Sequence, residues 1–158
     1  MARKLKKVLR PLFPDQKYQS LVVSKFINHL MESGKKALAT KIVYTAMESL
    51  EIVAKEKKVN PLDLFLSILE SVRPKMKMKA RRVGGATYQV PKVLAEGESE
   101  MLAMKWLIDA AQSMSGKSMS HGLKITFLET LEGRGNAIKK KEEMHRTAEA
   151  NKAFAHFA

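Results

Sequence analysis

Apolar residues recur at the spacing of an α-helix over most of the chain. Ser20 can cap a first helix, which is expected to end near Gly34. The inward face of this helix would carry Leu21, Val22, Ile27 and Leu30. The same spacing predicts a second helix through Leu38, Ile42, Val43, Ala46, Met47, Leu50 and Val53.

A third helix has sequence signals at both of its ends. Asn60 followed by Pro61 is typical of a helix N-terminus, and Asp63 would lie favourably in the first turn. Because Pro74 disfavours helical geometry in the residue before it, the helix should end at Arg73. The predicted buried stripe is Leu64, Phe65, Ile68, Leu69 and Val72.

After this helix the repeat of the pattern changes to two residues. From Lys75 to Arg81 cationic side chains alternate with Met76, Met78 and Ala80, which predicts a strand with one cationic face. Residues 83–86 contain two glycines and predict a turn, and residues 87–90 return as a second strand before Pro91. We therefore expect a β-hairpin over residues 75–91 that protrudes from the helical part.

Three further helices are expected towards the C-terminus. One begins after Ser99 and ends at residues 115–116, one ends at Gly133, and the last opens at residues 135–136. Their apolar positions are Leu102, Trp106, Leu107, Ala110, Leu123, Phe127, Leu128, Leu131, Ile138, Met144 and Ala148. The predicted fold is mainly α: a single domain over residues 1–158, with about six helices, the hairpin and a basic arm at residues 1–15.

Positive charge is concentrated in two short stretches of the chain. The net charge is +13, from 29 Lys and Arg against 16 Asp and Glu. Five cations lie in residues 1–10 and seven in residues 73–92, and neither stretch contains an acidic residue. Such patches repel themselves, and solubility alone does not require them, so they indicate a polyanionic partner.

The sequence contains no pattern typical of catalysis. It has no cysteine, no HExxH metal-binding spacing and no G-x-S-x-G nucleophile motif. Residues 115–118 read Ser-Gly-Lys-Ser, like the end of a phosphate-binding P-loop, but the glycine that this motif requires is replaced by Ala111. We expect a protein that is not an enzyme and that has no metal or other cofactor.

The hairpin is the strongest candidate for nucleic-acid binding. Its strands can present Lys and Arg to phosphates, and its glycines permit close approach of the backbone. Tyr88 could stack on a base or serve as a packing residue. The glycines at 133 and 135, followed by Lys139–Lys141, suit a phosphate at a helix N-terminus, or else form a loop before a solvated lysine face that Glu142 and Glu143 partly balance.

Several stretches resemble the bacterial type of small-subunit ribosomal protein seven. The segment at residues 81–91, Arg-Arg-Val-Gly-Gly-Ala-Thr-Tyr-Gln-Val-Pro, is similar to the signature of that family. The C-terminal run from His145 to His156 is similar as well, and so are residues 26–28, 34–36, 42–44 and 71–74. The resemblance covers nearly the whole chain.

The resemblance implies a helical bundle with a protruding hairpin. It also implies primary binding to the 3′ major domain of small-subunit ribosomal RNA, where the protein nucleates assembly of the head. The protein would lie near the mRNA exit path, the exit-site tRNA and other ribosomal proteins, and not at a membrane. Its location would be the ribosome of a bacterial cytoplasm or of an organelle with its own translation system.

The RNA contacts of the family fall on the basic arm, the Lys35–Lys36 turn and the hairpin. Combined with the charge pattern, the predicted RNA-binding residues are Arg3, Lys4, Lys6, Lys7, Arg10, Lys35, Lys36, Arg73, Lys75, Lys77, Lys79, Arg81, Arg82, Tyr88, Arg134, Lys139, Lys140, Lys141 and Arg146. One departure from the family pattern is the segment after the hairpin, which is typically basic but here contains Glu96, Glu98 and Glu100.

Two other classes of protein are compatible with a basic helical chain. A helix-turn-helix DNA regulator would concentrate its cations on a recognition helix, whereas here they lie on an arm and a hairpin; a β-ribbon DNA reader is the closer variant. A membrane-surface protein would need a continuous apolar face beside its basic residues, and these stretches lack one.

Overall fold

A computed structural model describes residues 11–157 of the chain, except for the side chain of Phe157. Within this range the fold is mainly helical, with one two-stranded antiparallel sheet, so the predicted fold class is confirmed. The elements are α1 (Leu21–Leu30), α2 (Lys36–Lys57), α3 (Pro61–Val72), β1 (Met76–Val83), β2 (Ala86–Val93), α4 (Glu96–Gln112), α5 (Met119–Leu131), α6 (Asn136–Ala150) and a final 3-10 helix (Lys152–Phe157). The predicted arm cations Arg3, Lys4, Lys6, Lys7 and Arg10 lie outside the described residues.

A cluster of three phenylalanines lies at the centre of the helical core. Phe26 of α1, Phe65 of α3 and Phe127 of α5 are fully buried, with ring centroids 5.4–6.0 Å apart. Two of the three pairs are edge to face, which is the geometry that the ring quadrupoles favour. The core therefore joins helices from both halves of the chain.

The first and third helices begin at the predicted caps. The Ser20 side chain accepts from the amide of Val23, and the Asn60 side chain accepts from that of Leu62. The predicted inward position of Leu21 is wrong, because this side chain is 49% exposed. Val23 and Phe26 fill the core instead, since the buried stripe of α1 is rotated from the predicted one.

The hairpin is longer than its sequence indicated. Gly84 and Gly85 form the turn with positive φ angles of 58° and 89°, which glycine adopts without steric cost. The second strand continues to Val93 and does not end before Pro91. In a two-stranded sheet each strand has an unpaired edge, so the missing N–H of a proline can be tolerated there.

The fourth helix begins at Glu96, so the predicted start after Ser99 is wrong. Ala95, with ψ of 152°, is the capping residue and has no side-chain cap. Glu96 and Glu98 lie in the first turn, where the positive end of the helix dipole favours acidic side chains. The hydroxyl of Ser99 donates to the carbonyl of Pro74 at 2.7 Å instead of capping the helix.

Candidate nucleic-acid interface

The outer half of the hairpin is a cationic surface exposed to solvent. Cross-strand pairing of Lys79 with Val90 and of Arg81 with Tyr88 places these residues on one face of the sheet. Lys79, Arg81 and Lys92 line a shallow groove of about 210 Å³ with Val90 beneath them. Arg82 is also exposed, beside the turn. We call Lys79, Arg81 and Arg82, together with Lys92, which lies nearer the base opposite Lys77, the outer cations.

The cations at the base of the hairpin pair with the acidic segment of α4. Lys77 donates to Glu98 at 2.8 Å, and Arg73 contacts Glu70 at 3.1 Å and Glu96 at 3.6 Å. The hydrogen bond from Lys77 lowers the pKa of the Glu98 carboxyl, so this carboxylate keeps its charge to a lower pH than usual. The acidic segment therefore neutralises two of the cations predicted to bind RNA.

The backbone at the base of the hairpin, residues 71–75, is held by side chains of α4 and α6. Besides the Ser99 bond to Pro74, the ammonium of Lys141 donates to the carbonyl of Ser71, and the amide of Lys75 donates to Nε2 of His145 at 2.9 Å. Lys75 also accepts from the amide of Leu94 at 3.1 Å, which closes the base of the hairpin. Two helices thus fix the segment from which the hairpin leaves the body.

The predicted cations around α6 differ in their surroundings. Lys139 and Arg146 are exposed on α6. Arg134 pairs with Glu132, two residues away, and Lys140 pairs with Asp109 of α4 at 3.1 Å. Arg134, in the glycine-rich segment just before α6, therefore already has a carboxylate partner.

Tyr88 packs within the protein. Its ring lies 5.3 Å from that of Phe154 in the final 3-10 helix, and the side chain is half buried. This contact ties the outer part of the hairpin to the C-terminal end of the described chain.

The Lys35–Lys36 turn lies at the opposite end of α4 from the hairpin. Lys35 lines a cavity together with Gln112, which is the last residue of α4. Ser99, near the N-terminal end of α4, contacts the base of the hairpin. At a rise of about 1.5 Å per residue, these two ends are about 20 Å apart along the helix. Both lysines are exposed. The structure does not bring this pair together with the outer cations.

A buried carboxylate anchors the segment that follows the basic arm. Asp15, only 7% exposed, accepts hydrogen bonds from the amides of Lys17, Tyr18 and Ser20 and from the hydroxyl of Tyr44 in α2. These bonds are between 2.8 and 3.2 Å long. The segment around Asp15, which follows the basic arm, is therefore fixed on α2.

The ion pair next to this anchor shifts several pKa values. Lys17 pairs with Glu51 at 3.1 Å, which lowers the pKa of the Glu51 carboxyl and raises that of Lys17. Burial, followed by the hydrogen bond to Glu51, raises the pKa of Tyr18 to about 12. Burial likewise raises the pKa of Tyr44. Both phenols remain neutral donors at any physiological pH.

The sequence did not predict one cation of the hairpin or two side chains that hold its base. Lys92 lies directly opposite Lys77 on the cationic face, yet it was not among the predicted contacts. Counting the lysine beyond Pro91 as part of the second strand would have found it. Ser99 and His145 could not be found in this way, because their partners are distant in sequence.

Comparison with known proteins gives consistent matches over the whole chain. A family model described as ribosomal protein S7p/S5e matches residues 2–152. Small ribosomal subunit protein uS7 of Francisella tularensis subsp. holarctica (strain OSU18) is 49% identical over 157 residues, which cover 99% of each chain. The protein of the same name from subsp. novicida (strain U112) is 48% identical over 157 residues, with the same coverage.

These similarities define a structural constituent of the small ribosomal subunit and not an enzyme. The chain belongs to the ribosomal protein S7p/S5e family. The resemblance found in the sequence is thereby confirmed, and membership implies ribosomal RNA and other ribosomal proteins as partners. Among the helices of residues 11–157, none combines the length and the apolar character that crossing a membrane requires.

Proposed function

We propose that the protein is a primary binder of the 3′ major domain of small-subunit ribosomal RNA and nucleates assembly of the head. The outer cations of the hairpin, the Lys35–Lys36 turn and the basic arm contact RNA phosphates. In the assembled subunit the protein lies near the mRNA exit path and the exit-site tRNA. The family resemblance supports the choice of this RNA domain.

The outer half of the hairpin is the observation that carries this proposal. It combines exposed cations of the first strand, a groove that Lys92 of the second strand also lines, and a two-glycine turn that lets the backbone approach a phosphate closely. No acidic residue occurs between positions 73 and 92, so this segment carries a strongly positive net charge. A phosphate backbone is the polyanion that such a surface fits.

The other predicted contacts contribute unequally to this proposal. Lys139 and Arg146 are exposed and can reach phosphates without breaking an ion pair. Arg73, Lys77, Arg134 and Lys140 would first have to leave a carboxylate, which costs part of the energy gained. Tyr88 would have to leave Phe154 before it could stack on a base. We therefore expect Arg73 and Lys77 to contribute less to the hairpin's affinity than their charge alone suggests.

Chemical footprinting of small-subunit ribosomal RNA, with and without the protein, tests this function directly. Protection should be confined to the 3′ major domain, and duplex DNA at the same salt concentration should not compete. Protection spread evenly over the RNA, or equal binding of duplex DNA, would contradict the proposal and favour a β-ribbon DNA reader.

RNA binding should depend strongly on salt, because neutralised phosphates release their counterions. The logarithm of the affinity should fall linearly with the logarithm of salt concentration, by about 0.7–0.9 per phosphate contact. Removing two contacts by Arg81→Ala with Arg82→Ala should make that slope less steep by about 1.4–1.8. A slope that is flat in the parent protein, or unchanged in the variant, would contradict this interpretation.

A further inference from the structure

We propose that His145 is a positioning residue, which sets the direction of the hairpin by accepting a hydrogen bond from the backbone amide of Lys75. This inference rests on the proposed RNA-binding function of the hairpin. It assigns a role to a side chain that lies on another element, α6, and that acts through the backbone of the hairpin.

The geometry at the base of the hairpin defines this role. Lys75 is the last residue before β1. Its amide donates to Nε2 of His145 at 2.9 Å, and its carbonyl accepts from the amide of Leu94, the first residue after β2. The same peptide segment thus links the sheet to α6. A small rotation about this residue would be amplified along the hairpin, because its tip lies about eight residues further on, at about 3.3 Å per residue.

The hydrogen bond requires neutral histidine. A backbone amide can only donate, so Nε2 must present a lone pair and the ring proton must be on Nδ1. Protonation of the ring would convert the acceptor into a donor and break the bond. The base of the hairpin therefore contains a contact that exists in only one protonation state.

The surroundings of His145 favour that neutral state. Burial, then the charges of Lys141 and Lys75, lower its pKa below the ordinary value of about 6.5. Lys141 lies one turn earlier on α6, and Lys75 lies on the hairpin segment packed against it. Glu142, Glu143 and Glu149 are the acidic residues within four positions of His145 on α6, and all three are exposed.

The sign of the pH effect follows from this shift. The unfolded chain binds the proton more tightly than the folded chain, so this contact contributes fully above about pH 6.5 and is lost as the pH falls through the lower folded value. The charge of a protonated histidine alone would raise the affinity for RNA at low pH. Loss of the His145 contact would instead loosen the hairpin. It should therefore lower, at low pH, the contribution that the outer cations make to RNA affinity.

Two variants separate these effects. His145→Ala removes the acceptor, whereas His145→Gln can keep an oxygen acceptor that does not titrate in this range. In the free protein, the Lys75 amide resonance should titrate with the histidine ring. The protection factors of the hairpin amides, which are corrected for the intrinsic slowing of exchange at lower pH, should decrease as the pH falls. His145→Ala should show the lower protection factors at every pH, and His145→Gln should show the higher ones at every pH. His29→Gln, at an exposed histidine on α1, is the matched control and should behave like the parent.

RNA affinity gives the second measurement. His145→Ala should weaken binding to the 3′ major domain about two- to tenfold, as expected for one lost hydrogen bond, and His145→Gln should restore it. Combined with Arg81→Ala and Arg82→Ala, the loss from His145→Ala should shrink, because both changes act through the hairpin.

Each contrary outcome identifies what has failed. Unchanged hairpin exchange in His145→Ala overturns the positioning role, even if RNA affinity falls. Equal loss of affinity in both His145 variants, with hairpin exchange intact in His145→Gln, would make His145 a direct RNA contact and also overturns it. Failure of the parent protein to protect the 3′ major domain would refute the proposed function alone, because the exchange measurement needs no RNA.

Discussion

Replacing Arg81 and Arg82 together by alanine should reduce the affinity for ribosomal RNA by more than about tenfold and leave thermal stability almost unchanged. Each arginine lost from a phosphate contact costs roughly 1.5–3 kcal/mol before compensation, and about 1.4 kcal/mol corresponds to a factor of ten. Both residues are exposed beside the turn, so each substitution should change the free energy of unfolding by less than about 0.5 kcal/mol. Titration with a 3′ major domain fragment and a thermal melt provide the two measurements.

A matched pair of substitutions controls for the loss of charge. Lys105→Ala with Lys124→Ala removes the same two positive charges from exposed positions on α4 and α5 that are not predicted to bind RNA. This control should weaken binding only slightly, through long-range electrostatics that salt screens. If the two double variants lose affinity equally, the hairpin is not an RNA-binding element, even though the family assignment stands.

Replacing Asp15 by alanine should be the most destabilising of the substitutions considered. It leaves three backbone amides and the Tyr44 hydroxyl without the carboxylate that accepts from them. Loss of a buried acceptor costs about 1–3 kcal/mol for the groups left unsatisfied, and several are affected here, so we expect about 2–3 kcal/mol. For a chain of this length, that corresponds to a fall in Tm of about 5–10 °C.

The control for this prediction is the same change at an exposed carboxylate. Asp63→Ala removes an acidic residue from the first turn of α3, where its contribution through the helix dipole is at most about 1 kcal/mol. Asp15→Asn should lie between the two, because its side-chain oxygen can still accept. A melt of Asp15→Ala within about 1 °C of the parent would show that the anchor contributes little to stability.

Helices with a continuous apolar stripe could be predicted because local spacing determines which face is buried. In α3 all of the predicted core positions are buried, from Leu64 to Val72. The start of α4 could not be found in the same way. Ala95 offers no capping side chain, and Ser99, which resembles a cap in the sequence, uses its hydroxyl for a contact with Pro74. Tertiary contact here overrides the local signal.

The exposed cations of the hairpin could also be predicted, because a two-residue alternation next to a glycine turn is a local feature. The partners of the other cations could not. Lys77 pairs with a residue 21 positions away, Lys140 with one 31 positions away, and Lys141 with one 70 positions away. Such pairings depend on how the helices pack, which composition and spacing do not specify. In the sequence, the acidic residues after the hairpin only interrupt the basic surface. In the structure, Glu96 and Glu98 form ion pairs with Arg73 and Lys77 that hold the base of the hairpin.

The separation of the Lys35–Lys36 turn from the hairpin by the length of α4 has a consequence for assembly. A helix does not stretch, so the two elements are attached to the body at points a fixed distance apart, about 20 Å along α4. The RNA segments that they bind would therefore be held at one fixed spacing. Binding at one end raises the effective concentration of RNA at the other, and the gain is lost when the geometry forbids simultaneous contact. An RNA whose segments are not yet at that spacing could bind the Lys35–Lys36 turn or the hairpin, but not both at once. The protein would therefore bind correctly folded RNA more tightly than unfolded RNA.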